Sequence, residues 1–328
     1  MTTAAPSHTD NPVKGILFIV LGMTAISVND MLIKQLSGDY PLHQMIFVRS
    51  AIGIAFSVVF LQLEGGFAAL KTDRPWAHLM RGLLLVVANM AYFTALAVMP
   101  LANATALFFV APLFITLLSI PLLGETVGAR RISAVVVGFA GVIVMLAPWE
   151  QAQGAATGLV LLLPVLSAFT YALMQMLTRR LGVTSQASAM AIYIQGTFLI
   201  VSAVFWVIAG DGRYAEGVEH PSLRFLLTAW RWPEGGDVVL FLLLGCVAAV
   251  VGYSMSQAYR SAPAATVAPF EYVALPMAIL WGWMIWGELP NAQAFGGIAL
   301  IVGAGLYVFL REGVLKRAVA TRRPIRRY

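Results

Sequence analysis

The sequence predicts an all-α polytopic membrane protein, with ten transmembrane helices forming two inverted five-helix repeats and both termini cytoplasmic. Three observations lead there: a composition too apolar for a soluble fold, apolar runs without strand-like alternation, and a lopsided distribution of lysine and arginine between alternate connections. Of the 328 residues 60% are hydrophobic and 11% charged, against roughly 25% charged in a soluble domain. With a mean hydropathy of +0.83, that much apolar surface stays out of water only if the bilayer is part of the solvent. Backbone groups in lipid need internal partners, which leaves helices or a closed barrel, and unalternating apolar runs of about 20 residues have the length of spanning helices.

The spans fall near residues 13–35, 41–63, 78–98, 101–123, 129–147, 155–178, 186–209, 237–259, 263–287 and 291–310. The opening "MTTAAPSHTDNP" lacks the basic start of a signal peptide, so residues 1–12 read as a disordered tail before a retained first span. Pro100, in "VMPLANA", and Pro263, in "YRSAP", mark very tight turns before the fourth and ninth spans, because proline starts a helix more readily than it continues one. The single cysteine, Cys246, excludes an intrachain disulfide.

Lysine and arginine set the orientation. One set of connections carries Lys14, Lys71, Arg74, Arg81, Arg130, Arg131, Arg179, Arg180, Arg260 and the basic tail 311–328; the alternate set carries Lys34, Arg213, Arg224 and Arg231. The basic-rich set is therefore cytoplasmic. The tail suits topology and anionic lipid headgroups rather than nucleic acid. The loop 210–236, with "SLRFLLTAWRWPEGG", faces outward and suits a short helix at headgroup level or a lid.

The halves 13–147 and 155–310 look like copies. "LANATALFFVAPLFITLLSIPLLGET" (101–126) matches "PAATVAPFEYVALPMAILWGWMIWGEL" (263–289) in its early Ala-Thr and its closing Gly-Glu. Each is followed by a span with a small-residue face, Ala134, Gly138 and Gly141 in the fifth and Ala299 and Gly303 in the tenth, which suits close helix packing inside the protein or in a homodimer. Five spans is an odd number, so the second copy enters the membrane inverted, a recurrent plan among secondary transporters.

On these features the chain resembles the EamA type of the drug/metabolite transporter superfamily over roughly residues 13–310. "ISVNDMLIKQLSGDYPLHQMIFVRS" and "APFEYVALPMAILWGWMIWGE" are similar to the branch that contains riboflavin and S-adenosylmethionine transporters. The resemblance implies a ten-helix carrier in the cytoplasmic (inner) membrane of a bacterium. Its cavity would be lined by spans one to four and six to nine, with the fifth and tenth peripheral.

Asp30, Arg49 and Glu271 are ionisable residues inside spans. A charge at mid-span costs about 2.5–3.5 kcal/mol on the insertion scale, so such residues serve a partner, a solute or a proton path. Arg49 and Glu271 each lie about 12 Å from opposite membrane edges, near enough in depth to meet directly or through a zwitterionic ligand. Arg49 has two readings: a bridge to Asp30, or a ligand contact. Glu271, between Pro269 and Pro276, suits proton coupling or recognition of a cationic solute. Tyr272 and Tyr92 could stack on a planar ligand or serve ordinary packing, and Asn89 and Gln257 are neutral polar residues within spans, suited to a helix–helix hydrogen bond or to a ligand contact. The expected function is secondary transport of a flavin-, nucleoside- or amino-acid-like metabolite by alternating access. The alternatives are a polytopic membrane enzyme or a channel. His8, His43, His78 and His220 are scattered and no metal or phosphate motif occurs, so no catalytic set, metal or cofactor is expected.

Overall fold

The computed structural model describes residues 12–63, 66–124, 127–146, 159–181, 187–261 and 268–321. Among the described residues all regular structure is helical. In chain order the helices are α1 (Pro12–Leu36), α2 (Leu42–Leu63), α3 (Pro75–Leu96), α4 (Leu101–Phe108), α5 (Ala111–Leu123), α6 (Ala129–Leu146), α7 (Leu163–Leu181), α8 (Ala187–Ala209), α9 (Pro221–Leu227), α10 (Asp237–Ser261), α11 (Ala274–Trp286) and α12 (Ala292–Thr321). Two 3₁₀ segments, Gly66–Leu70 and Ala268–Val273, precede α3 and α11. Among the described residues eight spans are long and apolar enough to cross a membrane, α4 and α5 counting as one, and shorter apolar helices occupy Phe270–Trp286 and Ala292–Val308. Leu17, Val136, Ile143, Ile200, Val207 and Val239 turn outward, as side chains solvated by lipid do. Trp76 and Trp232 are exposed near helix ends, where indoles favour the membrane interface.

The fourth span, expected as one helix, is broken at Phe109–Val110. Pro112 has no N–H for the carbonyl of Phe108, so the ladder reorganises: Val110 N–H turns to Leu107 O at 3.3 Å and α5 restarts with Leu113 N–H on Val110 O at 2.9 Å. The ninth span shows the counterpart, a 3₁₀ turn through Ala268–Val273 followed by α11. Pro276 lies in the first turn of α11, where its missing N–H sacrifices no intrahelical bond. The Gly-Glu closings are structurally alike: Gly124 and Gly287 end α5 and α11 in the left-handed region at φ 68° and 67°, the conformation that favours glycine at a helix C-terminus.

The helices pair across the chain rather than along it: α1 with α10, α3 with α7, α2 with α8, α6 with α12, α2 with α10 and α3 with α8. The α6–α12 seam uses the fifth span's expected face, with Ala134, Gly138 and Gly141 buried. The partner face on α12 differs from expectation. Gly297, Ile301 and Ala304 form it, while Ala299 and Gly303 lie on the exposed side. A methyl on Gly141 would lie 2.8 Å from the Gly297 carbonyl oxygen, a backbone atom with nowhere to go, whereas a methyl on Gly303 meets nothing within 4 Å.

The predicted 1–12 tail lies, but for Pro12, outside the described residues, as do Glu125, Pro263, the start of the second half at 155–158 and the last residues of the basic tail; the backbone of 311–321 continues α12. Gly141→Val should overpack the α6–α12 seam and lower stability by about 1–3 kcal/mol, read as a fall in the unfolding temperature of the purified protein. Gly303→Ala should leave that temperature unchanged.

Candidate functional site

The core of the first half is polar where four helices meet. Asp30 is buried on α1. One carboxylate oxygen accepts from Asn29 Nδ2 at 3.0 Å and the other from the Tyr92 hydroxyl of α3 at 3.1 Å. The Tyr92 oxygen is also 3.1 Å from Thr105 Oγ1 of α4, which in turn donates to Leu101 O. Arg49, buried on α2, donates from Nη1 to Asn29 Oδ1 and from Nη2 to Asn89 Oδ1, each at 3.3 Å. Its guanidinium also faces the Phe93 and Phe198 rings at 5.9 and 5.6 Å, a favourable arrangement for a desolvated cation.

Neither expected partner of Arg49 is in direct contact with it. Asn29 stands between Arg49 and Asp30, accepting from the cation with its carbonyl and donating to the anion with its amide. The pair is thus spread over a neutral side chain, and each charge keeps its remaining bonds for other helices. Nothing in the sequence marks Asn29 as the link, since helical neighbours point about 100° apart; its side-chain amide nevertheless reaches both charges.

Beyond Tyr92 the lining becomes aromatic. Its ring meets Phe108 at 5.6 Å, and Phe108 meets Tyr171 of α7 at 5.4 Å, so rings from both halves touch at the break in the fourth span. Tyr171 Oη accepts from Gln175 at 2.8 Å. Glu271, half-buried in the 3₁₀ turn, is within electrostatic reach of the Tyr171 and Tyr272 phenols. Tyr272 stacks on Phe109 at 4.8 Å. Its hydroxyl lies so near Gly305 of α12 that no Cβ would fit there, so its edge faces the last helix. Of the residues singled out in the sequence, Asp30, Arg49, Asn89 and Tyr92 form one network, Glu271 and Tyr272 belong to the neighbouring aromatic cluster, and Gln257 is half-buried on α10.

At the end of the bundle predicted to face outward, polar bonds join the halves. Lys34 of α1 binds Glu288, just past α11, at 2.6 Å, donates to Met99 O at 3.0 Å and lies 4.7 Å from the Trp286 ring centre. Glu288 therefore does more than the helix-end role its sequence context suggests. Nearby, Tyr40 donates to Asp237 at 2.9 Å, and Gln44 exchanges two hydrogen bonds with the backbone of Arg231. The 210–236 loop is held down by these bonds and contains the expected short helix, α9.

A family model described as "EamA-like transporter family" matches residues 13–147. A riboflavin transporter of Rhizobium johnstonii is 31% identical over 302 residues, 92% of this chain and 92% of that protein. The chain belongs to the EamA-like transporter family. An S-adenosylmethionine uptake transporter of Rickettsia prowazekii is 26% identical over 301 residues, 91% of this chain and 93% of its own. A crystal structure 21% identical in sequence superposes with a TM-score of 0.61, covering 92% of this chain and 99% of the other, and shares its fold. This EamA-like protein is thus a multi-pass membrane transporter of the drug/metabolite superfamily and not an enzyme.

Asn29→Ala strands both an Arg49 donor and an Asp30 acceptor, whereas Asn89→Ala strands only an Arg49 donor. With about 1–3 kcal/mol per stranded buried group, Asn29→Ala should cost about twice as much stability, measured by denaturation of the two variants in the same detergent.

Proposed function

We propose that this EamA-like transporter is a secondary carrier in the bacterial inner membrane that moves a small, planar organic metabolite of flavin or nucleoside type by alternating access. The observation that carries this reading is the meeting of a buried cation–amide–anion network with a ring cluster drawn from both halves, at the level where the fourth span breaks. Fixed polar groups beside aromatic faces suit a solute that is flat and hydrogen-bonding. The relatives named as riboflavin and S-adenosylmethionine transporters carry solutes of this general kind.

The two halves act as inverted copies of five spans, 13–147 and 155–310. The helix pairings support this. Exchanging α1 with α7, α2 with α8, α3 with α10, and α6 with α12 turns the α1–α10 pair into α7–α3 and the α2–α10 pair into α8–α3, and returns α2–α8 and α6–α12 to themselves; all of these pairs occur. The broken fourth and ninth spans and their matching glycine ends fit the same exchange. Rocking one copy against the other interconverts openings on the two sides. The Lys34–Glu288 and Gln44–Arg231 bonds act as the outer closure, and they must part for the outward-open state to form.

Glu271 is proposed as the proton-coupling group, since it lies in the 3₁₀ turn beside the ring cluster. In proteoliposomes Glu271→Gln should abolish the stimulation of riboflavin uptake by an imposed proton gradient while leaving solute exchange in place. Unaltered gradient-driven uptake removes Glu271 from coupling, and the absence of saturable uptake by the wild type overturns the riboflavin-like substrate class. Lys34→Glu and Glu288→Lys should each reduce exchange several-fold by setting like charges against each other, and the double reversal should restore most of it. Equal losses in the single and double variants would mean that the pair does not close the carrier.

A further inference from the structure

Outward of Arg49, a small cavity lies between α2, α3 and α8 beneath α9. Asn89 and Phe198 form its inner end and His43, Ser202, Phe205 and Leu226 its outer part. Asn89 and Phe198 are the same residues that bond and face the Arg49 guanidinium, so the cavity adjoins the polar network. In the conformation described it is small, about 20 Å³, room for about one water.

His43 is only 5% exposed, and neither of its ring nitrogens makes a hydrogen bond of good geometry, although the Leu226 backbone of α9 lies within polar reach of the ring. Its ring centre is 5.8 Å from those of both Phe205 and Trp230. The Trp230 indole N–H, beside it, is also buried and unpartnered. Leaving several polar atoms unpaired in an apolar setting is costly, since each forfeits the hydrogen bonds it makes in water. A packing role would be filled better by phenylalanine. The arrangement is instead that of a recognition edge flanked by ring faces, held shut by the bonds of Gln44 to the Arg231 backbone next to Trp230.

We propose that His43 is a specificity-determining residue of the carrier. When the α9–Trp230 cap lifts, its ring nitrogens hydrogen-bond the edge of a planar heteroaromatic solute whose faces rest on Phe205 and Trp230, one step outward of Arg49. The proposal rests on the carrier reading and adds to it a solute class and the first polar contact on the outer side. A solute with a flat ring and donor or acceptor edges is retained, and an aliphatic zwitterion of similar size is not.

The test uses the purified full-length protein, with riboflavin, adenosine and tryptophan as ring probes and glycine betaine as the aliphatic one. Ligand-induced thermal stabilisation is followed for the wild type, His43→Phe and His43→Gln. At least one ring probe should stabilise the wild type, and betaine should not. Without ligand, His43→Phe should melt at or above the wild-type temperature, because it keeps a ring and sheds the unpaired nitrogens. Affinity for the ring probe should fall at least about tenfold in His43→Phe, the equivalent of one hydrogen bond, and less in His43→Gln. Three results overturn the proposal: His43→Phe melting well below wild type, which marks a structural role; unchanged ring-probe affinity in that variant; or a wild type stabilised by betaine alone or by none of the panel. Unchanged affinity together with intact saturable uptake would discard the subsite and leave the carrier reading standing, whereas loss of saturable uptake in the wild type discards the latter.

Discussion

The hydrocarbon interior gives a polar group no water to fall back on, and the architecture around Asp30 and Arg49 answers that constraint. A direct ion pair would satisfy the two charges and little else. Inserting Asn29 lets each charge keep one bond to the amide and make the rest to other helices, Asp30 to Tyr92, whose hydroxyl in turn meets Thr105, and Arg49 to Asn89 and two ring faces. Four helices of the first half are thereby tied to one point. Buried networks of this kind stabilise a fold when they are complete, and Asn29, Asp30, Arg49, Asn89 and Tyr92 of α1, α2 and α3 converge to complete this one.

The contacts between halves have a different character at different depths. In the middle they are chiefly rings on rings, Phe108 on Tyr171 and Phe109 on Tyr272, with the Ser167 hydroxyl donating to Ala88 O at 2.7 Å as an added hydrogen bond. At the outward end they are few and ionic or hydrogen-bonded, as in Lys34 with Glu288, Tyr40 with Asp237 and Gln44 with Arg231. Ring contacts are weakly directional and tolerate sliding, whereas ion pairs and hydrogen bonds are lost over a short displacement. Contacts that break sharply sit where a proposed gate needs two discrete states, and contacts that slip sit where a solute must pass.

Much of this was legible in the sequence, and for reasons that can be named. Apolar runs and proline positions gave the helices, because hydrophobic length and missing N–H groups act locally. The polar residues worth examining declared themselves by their cost in a span. What escaped was pairing. Nothing in "VND" says that the middle residue joins two charges, and nothing links Lys34 to a glutamate 254 residues away. The small-residue rule found the face of α6 but chose Ala299 and Gly303 on α12, since a helix with glycine and alanine on several sides presents more than one plausible seam. Gly297 is distinguished only by the Gly141 carbonyl that meets it. His43 was read as a span end, which is true of its position and silent about its burial.

An asymmetry within the repeat bears on mechanism. Under the proposed two-fold relation the first half contributes the fixed charges, and the second contributes a carboxylate set in a 3₁₀ turn. Position 271 corresponds to Phe108 or Val110 in the first copy, both apolar. A proton gradient drives a solute only if occupancy of one site changes the affinity of the other. The proposed coupling group, Glu271, comes from the second copy alone and sits at the ring cluster that adjoins the Asp30–Asn29–Arg49 network of the first. The asymmetry thus puts the proposed proton site and the fixed charges on opposite sides of the seam along which the two copies would move, where protonation of one alters the field that a solute meets from the other.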